Sequence, residues 1–214
     1  MPYRHLLLAH FLLVNVVAAG FAGAGYVQGW LDPIIEAPLL ELSGVIVGVF
    51  LYGTALALWK VWRTSRELND VRAGRAAPGS PAHAYQTARR AGNAADAENA
   101  AQVLRLTLSN RIVVVRHFAN SLVFLGLIGT VIGFVIALSG VDPSSAGDAN
   151  KAGAMVATLI EGMAVALNTT LIGSILYVWL IVNHRILATG TVNLLTAALA
   201  LPAPALQDAR QAAE

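Results

Sequence analysis

The 214-residue sequence predicts an all-α integral membrane protein with four transmembrane helices per chain, the third and fourth long enough to extend into the cytoplasm. Three observations carry that reading. Hydrophobic residues make up 57% of the chain and charged residues only 12%, with a mean hydropathy of +0.64, whereas a soluble domain is roughly a quarter charged. Four apolar stretches reach the ~20 residues a helix needs to cross a bilayer. When those stretches are threaded through a membrane, Lys and Arg collect on one side of it.

The first stretch runs from Leu6 to Trp30. Arg4 and the run Ala22-Gly23-Ala24 give it the outline of a secretory signal, but its apolar run is longer than a signal core. Tyr26 to Trp30 carry it toward an interface, so it reads as a retained helix. The second stretch, Ser43 to Trp62, completes a peripheral pair over residues 1–62. Residues 63–110 form a cytoplasmic Ala/Arg-rich segment, broken at Pro78-Gly79-Ser80-Pro81. Residues 63–92 read as a solvated connector, while Ala84–Arg90 and Asp96–Asn110 have helical composition. The third span, Ile112 to Val141, can begin as early as Asp96, giving about 45 residues and roughly 68 Å. The fourth is Ala154 to Ile186, and the core of the chain is residues 111–187. In the C-terminal tail, 188–214, the stretch Thr191–Leu201 is apolar but too short to span and stops at Pro202 and Pro204. It reads as an inner-surface or subunit contact.

Charge sets the orientation. With the N-terminus inside, Arg4, Lys60, Arg63, Arg66, Arg72, Arg75, Arg89, Arg90, Arg105, Arg111, Arg116, Arg185 and Arg210 are cytoplasmic and only Lys151 is outside. The outer loops hold Asp32, Glu36, Glu41, Asp142 and Asp148 instead. Both termini are therefore expected in the cytoplasm.

The chemistry concentrates on two helices. On the third, Gly126, Gly129, Thr130, Gly133 and Ala137 share one face; on the fourth, Gly162, Ala166, Thr169, Thr170, Gly173 and Tyr177 do so. Faces stripped to near backbone let another helix approach closely, and a hydroxyl on such a face can hydrogen-bond where water is scarce. Thr130 lies 14 residues beyond Arg116 and Thr170 lies 15 residues before Arg185, so both sit about 21–23 Å above their basic anchors. Small-residue stripes are common simply because they permit tight packing, and Thr often bonds its own i−4 carbonyl. Two stripes of matching depth and polarity shift the balance toward a lined conduit, with Thr130, Thr169 and Thr170 as its ion-pathway candidates. Asn168 is read as interhelical glue.

Glu161 is the only acid inside a span, about 13 Å outward of Thr170. It is either an outer-vestibule charge that attracts cations or an interfacial acid paired with Lys151 or a helix N-terminus. No carboxylate lies at the depth of the threonines, so an ion carrier there must come from another chain. The absence of cysteine excludes disulfides and thiolate metal sites. His5, His10, His117 and His184 lack metal-ligand spacing. Nothing suggests nucleophilic catalysis, nucleotide binding, nucleic-acid contact or a bound cofactor.

The runs Leu125-Gly126-Leu127-Ile128-Gly129-Thr130-Val131-Ile132-Gly133 and Ala166-Leu167-Asn168-Thr169-Thr170-Leu171-Ile172-Gly173 resemble those of the MotA/TolQ/ExbB proton-channel family. The likeness covers roughly Asn110 to Arg185; the first half matches in layout alone, four helices as in MotA rather than three as in TolQ and ExbB. The resemblance implies a homopentamer in the bacterial inner membrane enclosing two copies of a MotB/TolR/ExbD-like partner, whose single helix supplies the ion-carrying Asp. Thr130 and Thr170 fall on the family's pore-lining threonines. Two departures stand out. Where the ExbB branch has an acid five residues before the last threonine, this chain has Val165, with Glu161 one turn further out. The cytoplasmic loop is also shorter than in MotA, which argues against a flagellar rotor as the load.

These readings converge on a stator subunit of an ion-driven rotary motor, with a proton as the leading ion and sodium as the alternative. A small secondary transporter would need a charged or broken helix at mid-membrane, and neither is visible. A passive scaffold whose small faces only pack is the third reading.

Overall fold

The computed structural model of the protein describes residues 6–29, 40–73, 78–91, 93–141 and 149–201. Five helices occur among them: α1 Leu6–Val27, α2 Leu40–Arg72, α3 Pro81–Arg90, α4 Ala94–Ser139 and α5 Ala149–Ala200. All but α3 are long and apolar enough to cross a membrane. With 46 residues in α4 and 52 in α5, at 1.5 Å each they reach roughly 69 and 78 Å, over twice the ~30 Å hydrocarbon layer. The outer-loop acids Asp32, Glu36, Asp142 and Asp148 lie outside the described residues, as do Arg4, His5, Arg75, Arg210 and the tail beyond Leu201. The side chains of Glu41 and Lys151 lie outside them too.

Two expectations are corrected. Residues 63–92 are not simply a solvated connector. α2 continues through Arg72, and α3 buries Ala82 and Tyr85. The break at 78–81 launches α3: Gly79 takes φ 77°, Ser80 accepts the His83 N–H at 3.1 Å, and Pro81 opens the first turn. That is the usual chemistry of a helix start, an orphan N–H satisfied by a hydroxyl and a residue with φ already fixed. Second, Thr191–Leu201 is not a separate segment, because α5 runs unbroken to Ala200. No proline interrupts it before Pro202, and Gly190 inside it abuts the Leu7 side chain of α1, so the missing Cβ serves packing.

The chain packs as two units. One comprises residues Met1–Val14, Leu56–Val115 and Asn183–Glu214. Its core is Leu68 and Val71 of α2, Tyr85 of α3, Leu104 and Leu108 of α4, and Leu194 and Ala198 of α5. Around it, Arg111 grips Glu67 with both guanidinium arms, at 2.7 and 3.2 Å, while Lys60 donates to the Arg111 carbonyl at 2.8 Å. Arg89 donates to the Leu201 carbonyl at 2.6 Å, tying α3 to the end of α5.

The other unit comprises Asn15–Ala55 and Arg116–Val182. Here α4 and α5 lie side by side and α2 crosses them both. The Phe50 ring meets Trp179 at 5.1 Å and Tyr52 meets Phe118 at 5.2 Å. The Trp179 indole N–H donates to Asn15 of α1 at 2.9 Å, which leaves neither polar group stranded in an apolar layer.

Candidate functional site: a hydroxyl pair at the edge of a glycine seam

Glycine sets how closely α4 and α5 approach. A Cβ on Gly126 would sit 3.2 Å from the Thr169 carbonyl oxygen and 3.3 Å from the Thr170 Cα; on Gly133, 2.5 Å from the Ala166 nitrogen; on Gly173, 2.7 Å from the Leu122 carbonyl oxygen. On Gly162 it would strike the backbone of Ala137. Contacts thus run Gly126–Gly173, Gly129–Thr169 and Gly133–Gly162, an antiparallel seam of backbone on backbone. The small-residue stripes therefore face each other inside one chain. That corrects the expectation that they line a pore or grip a partner helix: Gly126, Gly129, Gly133, Gly162, Ala166 and Gly173 are consumed by the α4–α5 contact. Without a hydrophobic drive between helices in lipid, dispersion and backbone proximity favour this arrangement.

Thr169 belongs to the seam. It is 1% exposed, fills the space over Gly129, and returns its hydroxyl proton to Val165 and Ala166 carbonyls at 3.0 and 3.2 Å. It does not join the other two threonines.

Thr130 and Thr170 sit at the seam's edge. Their hydroxyl oxygens are 2.6 Å apart, and they lie 3.0 and 3.2 Å from the Gly126 carbonyl oxygen. Thr130 is half-buried and Thr170 exposed. Three oxygens share two protons: one hydroxyl donates to Gly126, and the other donates to the first hydroxyl. Each hydroxyl keeps acceptor capacity for a third party. Equal depth, inferred from the basic anchors, is met here by direct contact. One turn inward, the exposed Ser174 donates to the Thr170 carbonyl at 2.7 Å, while Tyr177, half-buried, lies two turns from Thr170 on its face.

Glu161 is exposed, but nine residues are two and a half helical turns, so it leaves α5 on the face opposite Thr170. Of the two readings of Glu161, the outer-vestibule one gains nothing from this phase, since the residue does not share the face of Thr170. Sequence reasoning passed over Trp179–Asn15; a tryptophan and an asparagine inside two apolar runs were the available signal. Large apolar side chains flank the hydroxyl pair and point outward, among them Leu127, Val131, Phe134, Leu167 and Leu171. Such a surface suits lipid or neighbouring polypeptide.

No curated protein and no solved structure matches the chain. A family model does, over residues 80–198, which takes in α4, nearly all of α5 and the hydroxyl pair between them. It describes membrane proton channels rather than enzymes, in accord with four membrane-length helices, and the match covers more than half of the sequence: the chain is a multi-pass membrane protein belonging to the MotA/TolQ/ExbB proton channel family.

Proposed function

We propose that the protein is the pore-forming stator subunit of an ion-driven rotary motor in the bacterial inner membrane. Five copies enclose a dimer of a MotB/TolR/ExbD-like partner, and the partner's helix brings the Asp that carries the ion. The observation that supports this best is the Thr130–Thr170 pair, two hydroxyls in contact at mid-span on the exposed edge of a rigid seam. A hydroxyl accepts a hydrogen bond from a protonated carboxyl and donates one to a carboxylate, so the pair stabilises a passing carboxyl in either state. Each elementary charge crossing 100 mV releases about 2.3 kcal/mol to drive stepping. A proton is the leading ion; sodium, which needs several oxygen ligands, is the alternative.

Segregation of Lys and Arg supports both termini in the cytoplasm. Residues 63–110 and the helical part of 188–214 then lie on that side, with α4 and α5 extending below the bilayer. The short α3 region favours a load other than a flagellar rotor.

The test is co-expression with a single-helix partner encoded nearby, followed by native mass spectrometry and ion flux in liposomes. A five-to-two complex whose flux falls about tenfold or more in Thr170→Val, the loss expected when one hydrogen bond to a charged group disappears, supports the reading. Unchanged flux in an assembled Thr170→Val complex overturns the pair's role, and a monomer with a bound solute overturns the stator.

A further inference from the structure

In the leucine-cored unit, the start of α1, the later turns of α2 and residues 185–193 of α5 surround a cavity of about 400 Å³. Its lining is amphiphilic. Arg72 and Arg185 both face it, with His10 at one side and Leu6 and Ile186 supplying apolar wall. No carboxylate lines it among the described residues, and neither guanidinium has an ion pair or hydrogen bond with any of them. Elsewhere in this unit Arg111 is neutralised by Glu67 and Arg89 is held by a carbonyl. Arg72 and Arg185 are both exposed and lack a protein counterion among the described residues, so two positive charges border one hollow.

A second observation comes from the cavity wall. Ser65 is 2% exposed and lines the cavity. The position also matters. Ser65 lies less than one turn past Trp62, where the apolar stretch of α2 ends, and Arg185 closes the apolar stretch of α5. The cavity therefore opens where hydrocarbon gives way to headgroups.

We propose that this cavity binds the phosphate of an anionic phospholipid. Arg72 and Arg185 engage the phosphate oxygens, the geometry at which guanidinium excels. The Ser65 hydroxyl donates from the wall, and the glycerol and first methylenes lie on Leu6 and Ile186. Basic pockets between membrane helices on the cytoplasmic side are suited to such headgroups. The proposal requires only that the helices cross a bilayer, so it stands or falls apart from ion coupling.

The test uses the purified full chain in a neutral detergent, doped with phosphatidylglycerol, with phosphatidylcholine, or with sodium phosphate. Thermal unfolding and native mass spectrometry report binding. Phosphatidylglycerol raises Tm and persists as an adduct; phosphatidylcholine and phosphate do neither. In R72Q/R185Q the retained phosphatidylglycerol falls roughly tenfold or more, the scale of lost charge-assisted hydrogen bonds. The charge-matched control R66Q/R90Q retains it, and Ser65→Ala gives a smaller fall. Equal response to both lipids, or full retention in a folded R72Q/R185Q, overturns the proposal. A phosphate effect equal to that of phosphatidylglycerol overturns the lipid in favour of a free anion. If the double variant does not purify, the two-lipid comparison on the unmodified chain decides alone.

Discussion

Between Leu122 and Ala137, α4 meets α5 through glycine, alanine and one buried threonine; at Leu104 and Leu108 it packs in a core with Leu194 and Ala198 of α5. One helix pair thus uses two opposite chemistries. Burying leucine gains free energy only where the alternative is water. In lipid that gain vanishes, and what remains is close approach of backbones with the dispersion it allows. A glycine seam is the contact expected of helices packed in lipid, and a leucine core that of helices packed against water.

Alanine substitution breaks the two regions from opposite sides. Leu108→Ala removes a fully buried side chain and should cost about 2–5 kcal/mol through lost transfer energy and the cavity left behind. Gly162→Ala adds a methyl where the Ala137 backbone already stands. Main chain cannot rotate aside as a side chain can, so the seam must part, at about 1–3 kcal/mol. Both are read by thermal unfolding in detergent micelles, and a neutral Gly162→Ala would sink the seam as described. Gly48→Ala sharpens the contrast: Gly48 sits in α2 with nothing within 4 Å of an added Cβ, so the same change should stabilise by up to ~1 kcal/mol through helix propensity.

Length and apolarity made four spans legible, and the helical composition of Asp96–Asn110 pointed to a third span begun near Asp96, against the observed Ala94. The role of 63–92 was harder to read. Tyr85 and Ala82 are buried by partners far along the chain, Leu104 and Leu194 among them, and a short helix rich in Ala and Arg carries little periodic signal. The threonines divide in the same way. Depth could be counted from Arg116 and Arg185, and it brought Thr130 to Thr170. Which of two adjacent hydroxyls, Thr169 or Thr170, faces inward is a matter of 100° of helical rotation, fixed by how Gly129 receives Thr169 and not by composition. The phase of Glu161 was available in its spacing from Thr170; distance along the axis had obscured it.

The Gly126 carbonyl, reached by two hydroxyls that also reach each other, has an electrical consequence. Either threonine can be the one that donates to the carbonyl, and exchanging the roles reverses the polarity of the Thr130–Thr170 bond while no heavy atom needs to move. Rotation of a hydroxyl is far faster than any shift of packed helices. A stiff backbone mount therefore carries a reversible dipole, and on the proposed route a passing charge would meet a polar group that reorients while the helices stay in place.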